Sequence, residues 1–269
     1  MTSSAAELRP VTLVAIGAVE RALELARRRV GAADITAKEG RDLVTATDVA
    51  VEDAVRTMVG GAVGSLVVGE ERGGEPPADG APYWLVDPIC GTRNFASGVP
   101  LYSINLALVE GGQVTAAVVG DPSTDEIQVA ERGRGAWAVK DGARRRLRTS
   151  EESRTIVVED GKSSGARRER AAQFTAAVIR TDRWHFRSLG STLALSYVGA
   201  GRVSAYVLFW ASAVHTAAGT LLATEAGGTL SDIDGRPWTV DSDSVIVSAT
   251  ADLHQELLDL ARSASKLPR

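Results

Sequence analysis

The sequence predicts a layered α/β (α+β) sandwich, and three observations carry that prediction. Residues 103–109 and 113–119 alternate apolar and polar positions around Glu110-Gly111-Gly112, as an antiparallel pair does. Both ends of the chain show helical spacing instead, with Val14, Ile16, Val19, Leu23 and Ala26 near the start. Strand pairs and helices then follow one another in mixed order, which indicates a layered sandwich.

In order, residues 5–30 read as a helix that Gly31 can end. Residues 42–48 form a short strand leading into a helix near 49–58. Residues 65–69 are strand-like and stop at Glu70-Glu71, and the Gly-, Pro- and Asp-rich stretch 72–82 is a loop. The stretch 69–80 resembles a mobile loop, not a phosphate cradle. Residues 83–86 are a buried strand. After the central pair, 126–130 and 136–139 continue the sheet. The second half holds a strand at 155–158, helices near 166–179 and 191–198, a strand at 204–208, a helix at about 212–226, a strand at 244–248 and a helix at 251–261. The chain divides at about residue 150 into an N-terminal α+β half (1–150) and a C-terminal α/β half (151–269), expected to form one compact unit.

Composition narrows the function classes. An apolar content of 44% over 269 residues fills a large core, and no run approaches the roughly 18 apolar residues of a membrane span. Met1-Thr2-Ser3-Ser4 lacks the basic-then-apolar pattern of a signal peptide. The single cysteine forms no internal disulfide, so a cytoplasmic location is expected. A net charge of −4 gives no nucleic-acid signal. The clusters Arg144, Arg145, Arg146, Arg148 and Arg167, Arg168, Arg170 read first as a solvated turn and a solvated helix face, and second as contacts for an anionic substrate or carrier protein.

The run Trp84-Leu85-Val86-Asp87-Pro88-Ile89-Cys90-Gly91-Thr92-Arg93-Asn94-Phe95 resembles the signature loop of the inositol monophosphatase superfamily, W-[IL]-[IV]-D-P-[IL]-D-G-T-x-N-F. Three further segments match in order: Lys38 through Asp48 resembles K-x-G-x-D-L-V-T-x-x-D, Gly69-Glu70-Glu71 follows, and Glu225-Ala226-Gly227-Gly228 resembles the family's E-A-G-G. Arg187-Ser188-Leu189-Gly190-Ser191 also resembles its substrate-side segment. The resemblance implies an α/β/α/β/α sandwich, often a homodimer, that hydrolyses phosphate monoesters with two or three Mg²⁺ ions held by carboxylates.

Carried over position by position, Glu70 and Asp87 match acidic metal ligands and Ile89 supplies a backbone carbonyl. Asp48 and Thr92 match the pair that activates water. Two positions depart. Cys90 stands where the family has a second signature Asp. Ungapped counting back from Glu225 puts His215 at a further ligand Asp and Leu208 at the acid that often holds inositol hydroxyls.

Three readings follow. The leading one is a metal-free cysteine enzyme, with no cofactor. Cys90 attacks, His215 carries the proton from the start of its helix, where the positive end disfavours imidazolium and favours thiolate, and Asp87 orients His215. Backbone around Gly91 and Thr92 stabilises an oxyanion. The chemistry is then acyl transfer: thioester or amide cleavage, or cyclising release, on a small or carrier-tethered acyl substrate. The second reading is a metal-dependent phosphatase, with Mg²⁺ on Glu70, Asp87 and the Ile89 carbonyl, or a softer ion such as Zn²⁺ on Asp87, Cys90 and His215. The third is a non-catalytic scaffold. Substrate contacts are expected from Gly91, Arg93, Arg187, Gly190, Ser191, Leu208 and Trp210. Trp210 with Phe209 makes the pocket more apolar than a polyol requires. His254 is expected to be solvent-exposed on the last helix, and His185 to be structural or at the pocket rim.

Overall fold

A computed structural model describes residues 7–31, 35–37, 43–63 and 66–264. Met1-Thr2-Ser3-Ser4 and positions 38–42 of the Lys38–Asp48 match lie outside the described residues. The first half runs α1 (Pro10–Arg27), β1 (Ile35–Ala37), β2 (Leu43–Thr45), α2 (Ala46–Val63), β3 (Leu66–Gly69), β4 (Tyr83–Cys90), α3 (Thr92–Ala96), β5 (Ser103–Glu110), β6 (Gln113–Asp121), β7 (Glu126–Glu131), β8 (Gly135–Lys140) and β9 (Ala143–Arg146). The second half runs β10 (Thr155–Glu159), α4 (Gly165–Arg180), β11 (His185–Arg187), α5 (Leu193–Gly199), β12 (Ala205–Leu208), α6 (Ala213–Glu225), β13 (Thr229–Ser231), β14 (Val245–Ser248) and α7 (Ala251–Ala264).

Seven strands form one sheet in the order β3-β4-β5-β6-β7-β8-β9, antiparallel except for the β3–β4 pair. Five form a second, β11-β10-β12-β14-β13, with β10 parallel to both its neighbours. The helices α1 and α2 bury Ala15, Val19, Leu23, Val51 and Val55 against one face of the seven-stranded sheet. On its other face α6 packs Ala217, Leu221 and Leu222 against Leu85, Ala107 and Val119. The same middle layer meets the second sheet through Leu195, Val198 and Ala223 against Tyr206 and Val247. Outermost, α4 and α7 place Phe174, Val178, Leu253 and Leu257 on Ile156, Val207 and Ile246. The order of layers is α/β/α/β/α. The helices α5 and α6 approach so closely that a Cβ on Gly219 would lie 2.4 Å from the Leu195 Cβ.

Several elements are longer or more regular than the sequence predicts. The second helix starts directly at Ala46, and Ala143–Arg146, read as a turn, is an exposed edge strand. His254 is buried, not solvent-exposed, because it continues the stripe Leu257, Leu258 and Ala261 on the apolar face of α7. Its ring nitrogens meet Ser231 Oγ at 2.9 Å and Ser248 Oγ at 3.0 Å.

Candidate metal-dependent active site

The site is built on an irregularity in β4. Side chains three apart on a regular strand point to opposite faces. Here Asp87 pairs with Asn105 while Cys90 pairs with Ser103, so three steps on β4 oppose two on β5. Asn105 and Ser103 share a face, and the bulge at Pro88-Ile89 therefore turns Asp87 and Cys90 to the same side. Gly91 makes the turn that follows. Its φ is +101°, and a Cβ there would sit 2.9 Å from the Leu101 carbonyl oxygen and 3.0 Å from the Ser191 Cβ. Only glycine meets both demands.

Glu70 enters from the end of β3, where its N–H donates to the Val86 carbonyl at 3.1 Å. The residue that fixes this corner is one the sequence reading missed. Glu52, wholly buried on α2, accepts from Arg56 Nε at 2.8 Å, the Glu71 N–H at 2.7 Å and the Arg72 N–H at 3.1 Å. A Cβ at position 69 would lie 2.0 Å from Glu52 Oε1. Gly69 is therefore the gap through which a carboxylate grips the loop carrying Glu70.

The second half contributes His215 from the first turn of α6. Its Nδ1 lies 2.8 Å from Asp87 Oδ2 and 3.9 Å from Glu70 Oε2. Asp87, Cys90 and His215 each offer a ligand atom within 4.8 Å of the others. Beside them the Thr92 hydroxyl lies 3.2 Å from Asp48 Oδ1 and 3.1 Å from the Ile89 carbonyl oxygen, either of which can accept its proton. The whole opens into a cleft of about 820 Å³. Gly91, Arg93, Gly190, Ser191, Leu208 and Trp210 line the cleft, as do Glu70, Asp87, Ile89, Cys90, Thr92 and His215. Arg187 does not: it is exposed, and its Nη1 donates to the Phe186 carbonyl at 2.7 Å. His185 lines a separate small hollow with Arg154, Asp182, Arg183 and Trp184. Of the arginine clusters, Arg168 reaches the cleft, while Arg167 and Arg170 pair with Asp243 and Asp234.

The electrostatics call for a cation. Burial first, and then the neighbouring Asp87 charge, push the Glu70 carboxyl up to about 8 although His215 opposes the shift. Asp87 is fully buried, and its Oδ1 has no hydrogen-bond donor beyond the Glu70 carboxyl when that carries a proton. A buried carboxylate oxygen without a donor is costly unless a cation completes it. Two carboxylates and the Ile89 carbonyl form a hard oxygen set that fits Mg²⁺. Burial also raises the Asp48 carboxyl, although Thr45 and Thr92 hydrogen bonds oppose the shift.

The thiol is not poised to attack. Burial, followed by the Asp87 charge, holds the Cys90 thiol above its ordinary value, and His215 and Thr192 offset this only in part. The Thr192 hydroxyl already donates to the His215 carbonyl at 2.9 Å, and it accepts from Asn105 Nδ2 at 3.1 Å. The 2.8 Å contact between Cys90 Sγ and Thr192 Oγ1 is then an S–H donated to Thr192, not to the imidazole. The imidazole is not held neutral by its helix end either. Burial lowers its pKa, but the hydrogen bonds to Asp87 and Cys90 and the charges of Asp87 and Glu70 prevail and raise it well above the usual histidine range.

Comparison with known proteins overturns the leading sequence reading. The profile of the inositol monophosphatase family matches residues 7–266. A histidinol-phosphatase of Mycobacterium tuberculosis is 36% identical over 256 residues, 91% of this chain and 95% of its own. The inositol-1-monophosphatase ImpA of Mycolicibacterium smegmatis is 33% identical, covering 85% and 83%. Among solved structures, a Thermotoga maritima IMPase superposes with a TM-score of 0.81 at 29% identity, over 93% of this chain and 95% of its own. The suhB protein of Bartonella henselae gives 0.85 at 26%, over 94% and 99%. The relatives named histidinol-phosphatase and inositol-1-monophosphatase are phosphatases by name, so acyl transfer by a Cys90 nucleophile with a His215–Asp87 triad is corrected. The thioester, amide and cyclising reactions, the carrier-tethered acyl substrate and the absence of a cofactor fall with it. From its profile match, its relatives and its five layers, this chain belongs to the inositol monophosphatase family.

Proposed function

We propose that the protein is a metal-dependent phosphomonoesterase acting on a small phosphate ester. The observation that carries this reading is the convergence of Glu70, Asp87 and the Ile89 carbonyl, with its buried Asp87 oxygen, on the cleft that Thr92 also lines. Glu70, Asp87 and Ile89 would hold a divalent cation. Such an ion supplies positive charge for the phosphoryl oxygens and acidity for the attacking water.

The chain's own residues do the rest. When the Thr92 hydroxyl donates to Asp48, its lone pairs remain free to accept a proton from water in the cleft. Asp48, buried and raised, is a stronger base for that proton than an exposed aspartate. Arg93 brings positive charge to the mouth of the cleft. Leu208 and Trp210 provide an apolar wall where an acidic residue would favour a polyol. That wall, together with the relative named for histidinol phosphate, favours a leaving alcohol with a flat or apolar body.

The test is phosphate release from histidinol phosphate, myo-inositol 1-phosphate and p-nitrophenyl phosphate, with Mg²⁺, Mn²⁺ or Zn²⁺ and after chelation. Turnover that requires a divalent ion and is lost in Asp87→Asn supports the reading. No release from any ester with any ion overturns it. The homodimer implied by the resemblance belongs to the same reading and is checked by light scattering. Among the described residues no helix is long and apolar enough to cross a membrane.

A further inference from the structure

Around the Glu70–Asp87–Ile89 oxygen set, the next donors are not oxygens. We propose that Asp87, Cys90 and His215 form a mixed-donor site that selects a thiophilic divalent cation of the zinc class, next to the hard oxygen set with which it shares Asp87. The assignment rests on the reading of the cleft as a metal-dependent phosphoesterase for its purpose, while its binding test does not depend on turnover.

Geometry supports it first. One carboxylate oxygen, one sulfur and one ring nitrogen lie within 4.8 Å of one another. Tetrahedral ligation at about 2.0–2.3 Å needs ligand separations of roughly 3.3–3.8 Å, which modest side-chain rotation reaches from here. All three residues line the cleft, from which a tetrahedral ion held by three protein atoms would take its fourth ligand. The bulge in β4 is what turns both Asp87 and Cys90 into that space. A second observation is the buried Asp87, whose Oδ2 is engaged by His215 while Oδ1 has no donor beyond a protonated Glu70. One carboxylate can thus serve both sets.

Chemistry then decides which ion. Thiolate and imidazole suit zinc-class cations, whereas Mg²⁺ takes hard oxygens in near-octahedral geometry and dehydrates reluctantly. The surroundings hold the donors in place. Thr192 donates its N–H to Cys90 Sγ at 3.3 Å and its hydroxyl to the carbonyl of His215 at 2.9 Å. One threonine therefore ties the strand that brings the thiol to the helix that brings the imidazole, as outer partners of metal ligands do. Ligation requires the thiol proton to leave, so uptake of the ion must release protons to solvent.

The experiment loads metal-free, full-length protein with Co²⁺ as a spectroscopic stand-in and titrates it with Zn²⁺ in the presence of excess Mg²⁺. The expected result is a thiolate-to-cobalt absorption band in the near ultraviolet. It should be abolished by Zn²⁺, should persist in Mg²⁺ and should be absent from Cys90→Ser. Zinc affinity should fall on the order of 100-fold in Cys90→Ser, at the upper end of what loss of an outer partner alone causes. Proton release on zinc binding should shrink in the same variant. If Cys90→Ser does not fold, His215→Asn is read in its place, with a weakened and shifted band expected. No band in the wild-type protein, or Zn²⁺ affinity unchanged by either substitution, overturns the proposal. Mg²⁺-supported phosphate release without a thiolate band would overturn the mixed-donor site and leave the phosphoesterase reading standing. The band without turnover on any ester would support the site and sink that reading instead.

Discussion

Replacing Glu52 by Gln tests whether the Glu70 corner is held from beneath. The carboxylate has no solvent contact and makes three hydrogen bonds, with Oε1 serving Arg56 and the Arg72 N–H and Oε2 serving the Glu71 N–H. In the amide, one oxygen keeps the first two as neutral acceptors, and each weakens by about 1 kcal/mol. The new NH₂ faces the Glu71 N–H, leaving a buried donor unsatisfied at about 1–3 kcal/mol. Arg56 keeps some hydration, so its share is discounted, and the expected loss is about 3 kcal/mol. For a chain of this size that corresponds to a fall in Tm of roughly 6–12 °C. Glu52 touches neither cleft nor substrate, yet it sets the backbone on either side of Glu70, so Mg²⁺ affinity should drop about 10- to 100-fold. Thermal melts of the metal-free protein and Mg²⁺ titrations of activity read the two effects separately. A variant that melts with the wild type and keeps its Mg²⁺ dependence would refute the clamp.

Three further outcomes are expected. Thr92→Ala removes the hydroxyl donated to Asp48 and should lower kcat by about 100-fold or more with little change in Mg²⁺ affinity, measured by steady-state phosphate release. Gly219→Ala forces a methyl into Leu195 at 2.4 Å and should cost about 1–3 kcal/mol in urea unfolding, with no change in metal dependence. His254 is held below the ordinary histidine value by burial. An unfolded chain therefore takes up this proton at a pH where the folded one does not. The stability it contributes is present above about pH 6.5 and is lost as pH falls below that value. His254→Gln should flatten the acid side of the stability profile, and an unchanged slope would refute the assignment.

Much of this was legible in the residues because ordered motifs fix positions in space. Cys90 and His215 are 125 positions apart in the chain, yet the match around Glu225 is enough to place the imidazole beside the signature loop. Their chemistry was harder to read. A thiol, an imidazole and a carboxylate describe a catalytic triad and a metal site equally well, and Thr192, which accepts the S–H hydrogen bond, carries no motif. Glu52 was invisible for a related reason. A single glutamate in a helical stretch looks like surface charge until the Gly69 backbone is seen against it. Arg187 went astray through the opposite fault, since a matching segment fixes the path of the chain but not the direction of each side chain. For His254 the signal was available: it falls in register with Leu257, Leu258 and Ala261, and a polar residue on an apolar stripe is buried with it.

The bond between His215 and Asp87 joins residues 128 apart in the chain. Pairing within β4 to β9 is local, each strand meeting the next along the sequence, and this meander can form early. The second sheet orders its strands β11-β10-β12-β14-β13, with parallel pairs that need crossovers and close later. A chain leaving the ribosome therefore carries Glu70, Asp87 and Cys90 in a nearly finished sheet while His215 has still to be made. During synthesis the thiol waits without Thr192 or the imidazole to shield it. That exposure ends when α6 seats itself between the sheets.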